Sequence, residues 1–162
     1  MQLAERQQQQ ESDNHRWVTF RLDEEIYAVE VMQVREVLRS IDITPVPGSQ
    51  DYVLGIINLR GNVVTVIDTR VRFGLKSKPT DDLSRIVVVE IGDEAAGFMV
   101  DAISEVRDID STTVALAPGI GKDESSRHVI GVASDGDEMV ILVDFSQVFI
   151  NNQIDLPGVV AS

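Results

Sequence analysis

Cysteine is absent from this chain of 162 residues. That excludes disulfides, thiolate nucleophiles and thiol-ligated metals. Aromatic residues are scarce, at 5%, and the apolar content leans instead on Val and Ile, whose branched side chains favour strands. Positive charge is scarce too: 14 Lys and Arg stand against 27 Asp and Glu, for a net charge of −13. Nucleic acids and anionic membrane surfaces are bound by Lys and Arg that neutralise phosphate, so neither is an expected partner. No apolar run approaches the roughly 20 residues of a membrane span. The opening MQLAERQQQQESDNHR has no apolar signal core, so a cytoplasmic location is expected.

What is present is a succession of short strands. Residues 1–16 are Gln-rich and too polar to pack, and are expected to form a disordered tail, with 151–162 as a second tail. Between them the first half is expected to hold strands at 17–22, 26–29, 41–44, 56–60 and 63–67. The second half is expected to hold strands at 85–91, 95–100, 106–109, 128–134 and 139–143. Turns are signalled by Asp23-Glu24-Glu25, Gly61-Asn62, Gly92-Asp93 and Asp135-Gly136. Val31, Val34 and Leu38 share a helical stripe, which predicts a short helix within 30–38 against the β-branched content there. Residues 75–82, with Lys76, Lys78 and Pro79, link the halves. Five short strands per half fit an all-β chain of two small SH3-like barrels, about 17–75 and 83–150, with a few short helices.

The halves repeat each other. Gly55 to Asp68 (GIINLRGNVVTVID) corresponds to Gly131 to Asp144 (GVASDGDEMVILVD) at an offset of 76 residues (131 − 55). Leu22 to Val37 corresponds to Ile91 to Val106 at an offset of 69 (91 − 22). The difference of seven residues places extra chain in the second copy, in the loop 117–127. Two matched offsets indicate a duplicated β unit. The first hairpin is apolar on consecutive positions, so both of its faces want cover, and Arg60 adds a charge at its tip that apolar strands do not need. The runs 86–89 and 139–143 are likewise apolar throughout. Their outer faces must be buried against the sister barrel or a partner, which argues for a binding protein.

Reaction chemistry finds little footing. His15 lies in the tail and His128 opens a strand, and both are expected to be ordinary surface histidines. Asp68 and Asp144 hold equivalent places at strand ends and fit helix N-caps better than acid–base catalysis, with Asp101 expected to act likewise before Ala102. Asp135-Gly136-Asp137-Glu138 lacks the spacing of a calcium loop and reads as a hairpin turn. Gly119 and Gly121 are too little for a phosphate loop, and no metal or cofactor motif stands out. No enzyme is expected.

The order WVTFRLDEEIYAVEVMQVREV, PVPGSQDYVLGIINLRGNVVTVIDTR, VVVEIGDEAAGFMVDAISEV and HVIGVASDGDEMVILVDFSQV resembles the CheW family of chemotaxis coupling proteins, over about residues 17–150. The combination of NLRG at 58–61, the following VVTVIDTR and the VDAISEV segment carries the resemblance. It implies two intertwined five-stranded β-barrels around an apolar core, with no activity of their own. It also implies two partners, the cytoplasmic tips of methyl-accepting chemoreceptors and the regulatory domain of the histidine kinase CheA, at arrays on the inner membrane face.

Carried over by position, the resemblance implies a receptor groove between the barrels at Val34, Glu36, Gly55, Arg60, Gly97, Ile103 and Val106. Glu36 and Arg60 are expected to pair there, and Gly55 and Gly97 to let a receptor helix approach. Arg60 and Ile120, the latter just after Ala117-Pro118-Gly119, are the expected kinase contacts, although the loop lacks the bulky aromatic of other members. A module of this kind also ends the kinase itself, and another relative appends a receiver, but the chain is too short for either, so a stand-alone adaptor is expected. It would serve flagellar motility, pili or second-messenger control. The contrasting reading is a small-molecule sensor, which needs a pocket with converging polar groups between the barrels.

Overall fold

The computed structural model describes residues 14–39, 42–116 and 128–147. Among them the order is β1 (Asn14–Leu22), β2 (Glu25–Glu30), β3 (Val34–Arg39), β4 (Val53–Leu59), β5 (Asn62–Asp68), a one-turn helix α1 (Thr69–Arg72), β6 (Arg85–Ile91), β7 (Glu94–Val100), β8 (Ala102–Asp110), β9 (Val114–Ala115), β10 (Val129–Asp135) and β11 (Glu138–Val143). They form two sheets that curl into small SH3-like barrels. Barrel 1 has the order β3-β6-β7-β5-β4, and barrel 2 has β8-β1-β2-β11-β10 with the two-residue β9 at its edge.

Neither sheet is confined to one of the halves 17–75 and 83–150. The hairpin β1–β2 lies in barrel 2, where β2 runs parallel to β11, while β6–β7 lies in barrel 1, where β7 runs parallel to β5. Each duplicated unit has therefore exchanged its first hairpin with the other, and the two barrels are interlocked by backbone hydrogen bonds.

Strand alternation then explains the unbroken apolar runs. Along β6, Ile86 and Val88 point into barrel 1 with Ile57, Val64, Val66 and Met99. Val87 and Val89 point the other way, into a cluster shared by both barrels with Val18, Phe20, Leu22, Phe98 and Phe145. Along β11, Val140 and Leu142 fill barrel 2 beside Trp17, Ile26 and Ile109, and Val143 joins the shared cluster. The outer faces are thus covered by the sister barrel along 86–89 and 140–143, while Met139 at the start of β11 stays 64% exposed. Each fully buried aliphatic or Phe side chain contributes about 1.5–3 kcal/mol. The few aromatics gather here: Phe98 stacks on Phe145 at 4.0 Å, Phe145 on Phe20 at 5.8 Å, and Phe20 on Tyr27 at 5.6 Å.

Several expectations are corrected. The stretch 30–38 holds a single 3-10 turn, Val31–Gln33, and then the edge strand β3, because β-branched Val34 and Val37 suit an extended ladder better than a helix. The stretch 41–44 contributes only the isolated bridge Thr44–Ile56, with residue 41 outside the described residues. The strand expected at 106–109 is longer, since it pairs with β1 from Ala102 onward. The first strand begins at Asn14, so His15 lies within it, 3.0 Å from Glu30, rather than in a tail. The first repeat's hairpin turns on Arg60-Gly61, not Gly61-Asn62: Leu59 pairs with Asn62, and both loop residues have positive φ, at 52° and 86°. Asp68 caps α1 as expected, accepting from the amides of Arg70 and Val71. Asp144 accepts from the Ser146 amide in the equivalent place. Asp101 caps no helix, because β8 follows it directly. Its carboxylate accepts from the Asp23 amide and binds Arg70.

Candidate protein interface

Among the described residues barrel 1 has two edge strands, β3 and β4, with no backbone ladder between them. This open seam is bridged by side chains. Arg60, at the hairpin tip, donates from Nη1 to Glu36 Oε2 at 2.8 Å and from Nη2 to Glu36 Oε1 at 3.1 Å. The Arg60 side chain is 66% exposed and that of Glu36 19%. Hydrogen bonding to Glu36, and then the carboxylate's charge, raise the Arg60 pKa, so the guanidinium is held as a fixed cation. An exposed pair adds little stability but fixes a planar donor fork in space. The backbone around it is not the cheapest available. A φ of 52° at Arg60 suits Gly or Asn better, so the turn alone does not explain an Arg there.

Directly paired residues run across barrel 1 in the order Gly55, Val66, Gly97, Val88, Glu36. The two glycines in this row are buried, and their room is taken by this chain. A Cβ on Gly55 would lie 2.2 Å from the Thr44 carbonyl oxygen, and one on Gly97 would lie 2.6 Å from Ile86 Cγ2. The space beside each glycine is filled by close packing within barrel 1 itself.

The remaining expected site residues lie elsewhere. Val34 and Ile103 pack partly against the shared cluster. Val106 pairs with Val18, a member of that cluster, and is 56% exposed. Val34, Ile103 and Val106 therefore mark the margin between the barrels, while Glu36, Arg60, Gly55 and Gly97 belong to barrel 1. Ile120 lies outside the described residues.

Two arginines have roles that local pattern does not show, and a histidine expected on the surface is buried. Arg70, at the end of barrel 1, is nearly buried and clamps both Asp23 and Asp101, at 2.7 and 2.6 Å, which ties the barrels together. Its signal was position: a charge two residues after a capping Asp that ends an apolar strand. Arg107 bridges barrel 2 through three carboxylates. His128 is buried, not on the surface, and stacks on Phe73 at 3.7 Å. Burial, aided by Arg72, pushes its pKa down to about 4. The offset of 76 already placed it at the position of Tyr52. Each carbonyl of this pair, Tyr52 and His128, accepts from the amide of its capping Asp, Asp68 or Asp144.

Among the described residues two clefts stand out, and neither lies between the barrels. One open cleft of about 470 Å³ runs along Ile43, Leu54 and the linker residues 77–80 rather than between the barrels. A second, where Asp68, Arg70 and Asp101 converge, has about 30 Å³ of room, which is water-sized. Among the described residues no helix is long and apolar enough to cross a membrane.

Two interlocked barrels, each with a seam bridged by an arginine–carboxylate pairing, are the frame that the comparisons match. The CheW-like domain family matches residues 16–152, and the chain belongs to that family. It is 31% identical over 132 residues to the chemotaxis protein CheW of Helicobacter pylori, covering 82% of this chain and 79% of that one. It is 31% identical over 131 residues to the protein FrzA of Myxococcus xanthus, covering 79% and 81%. The crystal structure of the scaffolding protein TtCheW from Thermoanaerobacter tengcongensis superposes with a TM-score of 0.76 at 35% identity, covering 84% of this chain and 88% of that one.

Proposed function

We propose that this chain is a non-enzymatic adaptor that couples the cytoplasmic tips of methyl-accepting chemoreceptors to the histidine kinase CheA, so that receptor state controls kinase activity. It works in the cytoplasm, at receptor arrays beneath the inner membrane. The observation that carries the reading is the forked Arg60–Glu36 pair at the seam of barrel 1. It is exposed, rigid and of little use to stability, and it sits on a strained turn, so orientation and partner choice are its role. Receptor helices occupy the margin at Val34, Ile103 and Val106, with Arg60 and Glu36 beside them. Arg60 and Ile120 face the kinase regulatory domain.

The test is a pull-down of the full chain with a CheA regulatory domain and a chemoreceptor cytoplasmic fragment, with Arg60→Ala and Glu36→Ala in parallel. The wild-type chain is expected to assemble the ternary complex, and both variants to stay folded and lose it. A folded wild-type chain that binds neither partner would overturn the reading. Pairwise affinities in such arrays are modest and gain from multivalency, so the ternary assembly is the readout.

A further inference from the structure

The geometry points to Arg107 as a positioning residue for the partner-binding margin, an inference that rests on the adaptor reading above. β8 is an edge strand whose ladder partner is β1, and that ladder shifts register opposite Val18–Phe20. That shift falls within the segment 103–106, which presents Ile103 and Val106.

Two side chains compensate. Thr19 Oγ1, fully buried, donates to the Glu105 carbonyl at 2.5 Å and accepts from the Glu105 amide at 2.9 Å, filling the interruption. From the other side Arg107 spans the seam of barrel 2 to the β10–β11 hairpin. Its Nη1 donates to Asp135 Oδ2 at 3.1 Å, its Nη2 to Glu138 Oε1 at 3.0 Å, and its Nε to Glu105 Oε1 at 3.0 Å. The side chain is 13% exposed, with its three nitrogens engaged. It is therefore not presented to a partner, unlike Arg60.

Its effect on a partner comes through its neighbour. Successive residues of a strand face opposite sides. With Arg107 turned into the seam, Val106 is turned to the inter-barrel side beside Val18. Holding the guanidinium fixes the facing of the valine. Without the cation, Glu105, Asp135 and Glu138 would repel one another around an edge strand with a broken ladder.

The experiment titrates the full chain as wild type, Val106→Ala, Arg107→Leu and the double variant against a soluble chemoreceptor cytoplasmic fragment. Hydrogen exchange over residues 102–110 is followed in parallel. Arg107→Leu is expected to weaken binding about tenfold and to speed exchange in that segment. The double variant is expected to bind no worse than the weaker single, because Arg107 acts through Val106. Arg107→Lys should recover part of the affinity. Asp135→Asn with Glu138→Gln should reproduce the loss while keeping the Arg, which covers a failure of Arg107→Leu to fold. Unchanged exchange, unchanged affinity, or losses that simply add would each overturn the inference while leaving the adaptor reading intact. A folded wild-type chain that binds no fragment would overturn the adaptor reading, and this inference with it.

Discussion

The two barrels close their seams with opposite charge placement. In barrel 1 the carboxylate, Glu36, is on the edge strand and the guanidinium, Arg60, on the hairpin tip. In barrel 2 the guanidinium, Arg107, is on the edge strand and the carboxylates, Asp135 and Glu138, are on the hairpin. The hairpin turns are equivalent, since Arg60-Gly61 maps onto Gly136-Asp137 at the offset of 76. A duplicated unit thus met one geometric problem, a small sheet that cannot complete its backbone ladder, and solved it twice. One solution leaves its cation exposed and the other covers it. The difference separates a seam whose cation faces solvent from one whose cation is turned in to hold its own edge.

The sharpest way to break the comparison is through the glycines. Gly55 and Gly131 are equivalent, and each follows a register shift in its strand. At Gly55 φ is +151° and the obstacle to a Cβ is the Thr44 backbone. At Gly131 the nearest atom is a side-chain methyl of Val114 at 2.7 Å. Gly55→Ala should cost about 4 kcal/mol, combining overpacking with a strained backbone, and Gly131→Ala about 1–2 kcal/mol. Urea denaturation of both variants checks the order, and equal losses would show that the barrels are equally tolerant.

A smaller effect separates His128 from its counterpart Tyr52. The folded protein holds His128 neutral down to about pH 4, whereas the unfolded chain protonates it near 6.5. Protonation therefore favours the unfolded chain. Stability should be fully present above pH 6.5 and decline as the pH falls toward 4, by up to about 3 kcal/mol. His128→Phe, which keeps a ring against Phe73, should flatten that decline. A pH series of melting temperatures for both proteins decides it, and an equally steep fall in the variant would assign the loss to carboxylates.

The smallest difference is between the two arginines themselves. Arg107→Leu should destabilise by about 1 kcal/mol, since its side chain is mostly covered. Arg60→Ala should leave the melting curve unchanged, because its side chain is 66% exposed. Differential scanning calorimetry of the pair tests whether the exposed seam is free of a structural duty.

The legible parts of this fold were those written in local pattern. Strands β6, β7 and β11 could be placed to within a residue, because branched runs ended at Gly-Asp or Asp-Gly turns. Capping Asp68 and Asp144 could be read from their place after a strand. The stretch 30–38 misled because its apolar spacing fits both a helix and an edge strand, and tertiary pairing with β6 decided between them. The turn was misplaced by one residue because Arg60 is an unlikely occupant of positive φ. The ion pairs of Arg70 with Asp23 and Asp101, and of Arg107 with Asp135 and Glu138, could not be read from local pattern, since these carboxylates lie 28 or more residues away in the chain.

The sequence by itself determined that this protein would be built of strands, doubled, free of thiol chemistry, and apolar on both strand faces. Composition, period and offset are properties of neighbouring residues and survive in one dimension. Only the tertiary structure decided that the halves exchange hairpins, that the outer faces close on each other, and that one seam shows its arginine while the other covers it. Those outcomes depend on which strands share a ladder and which charges meet across an edge, and such contacts join residues that the chain order keeps far apart.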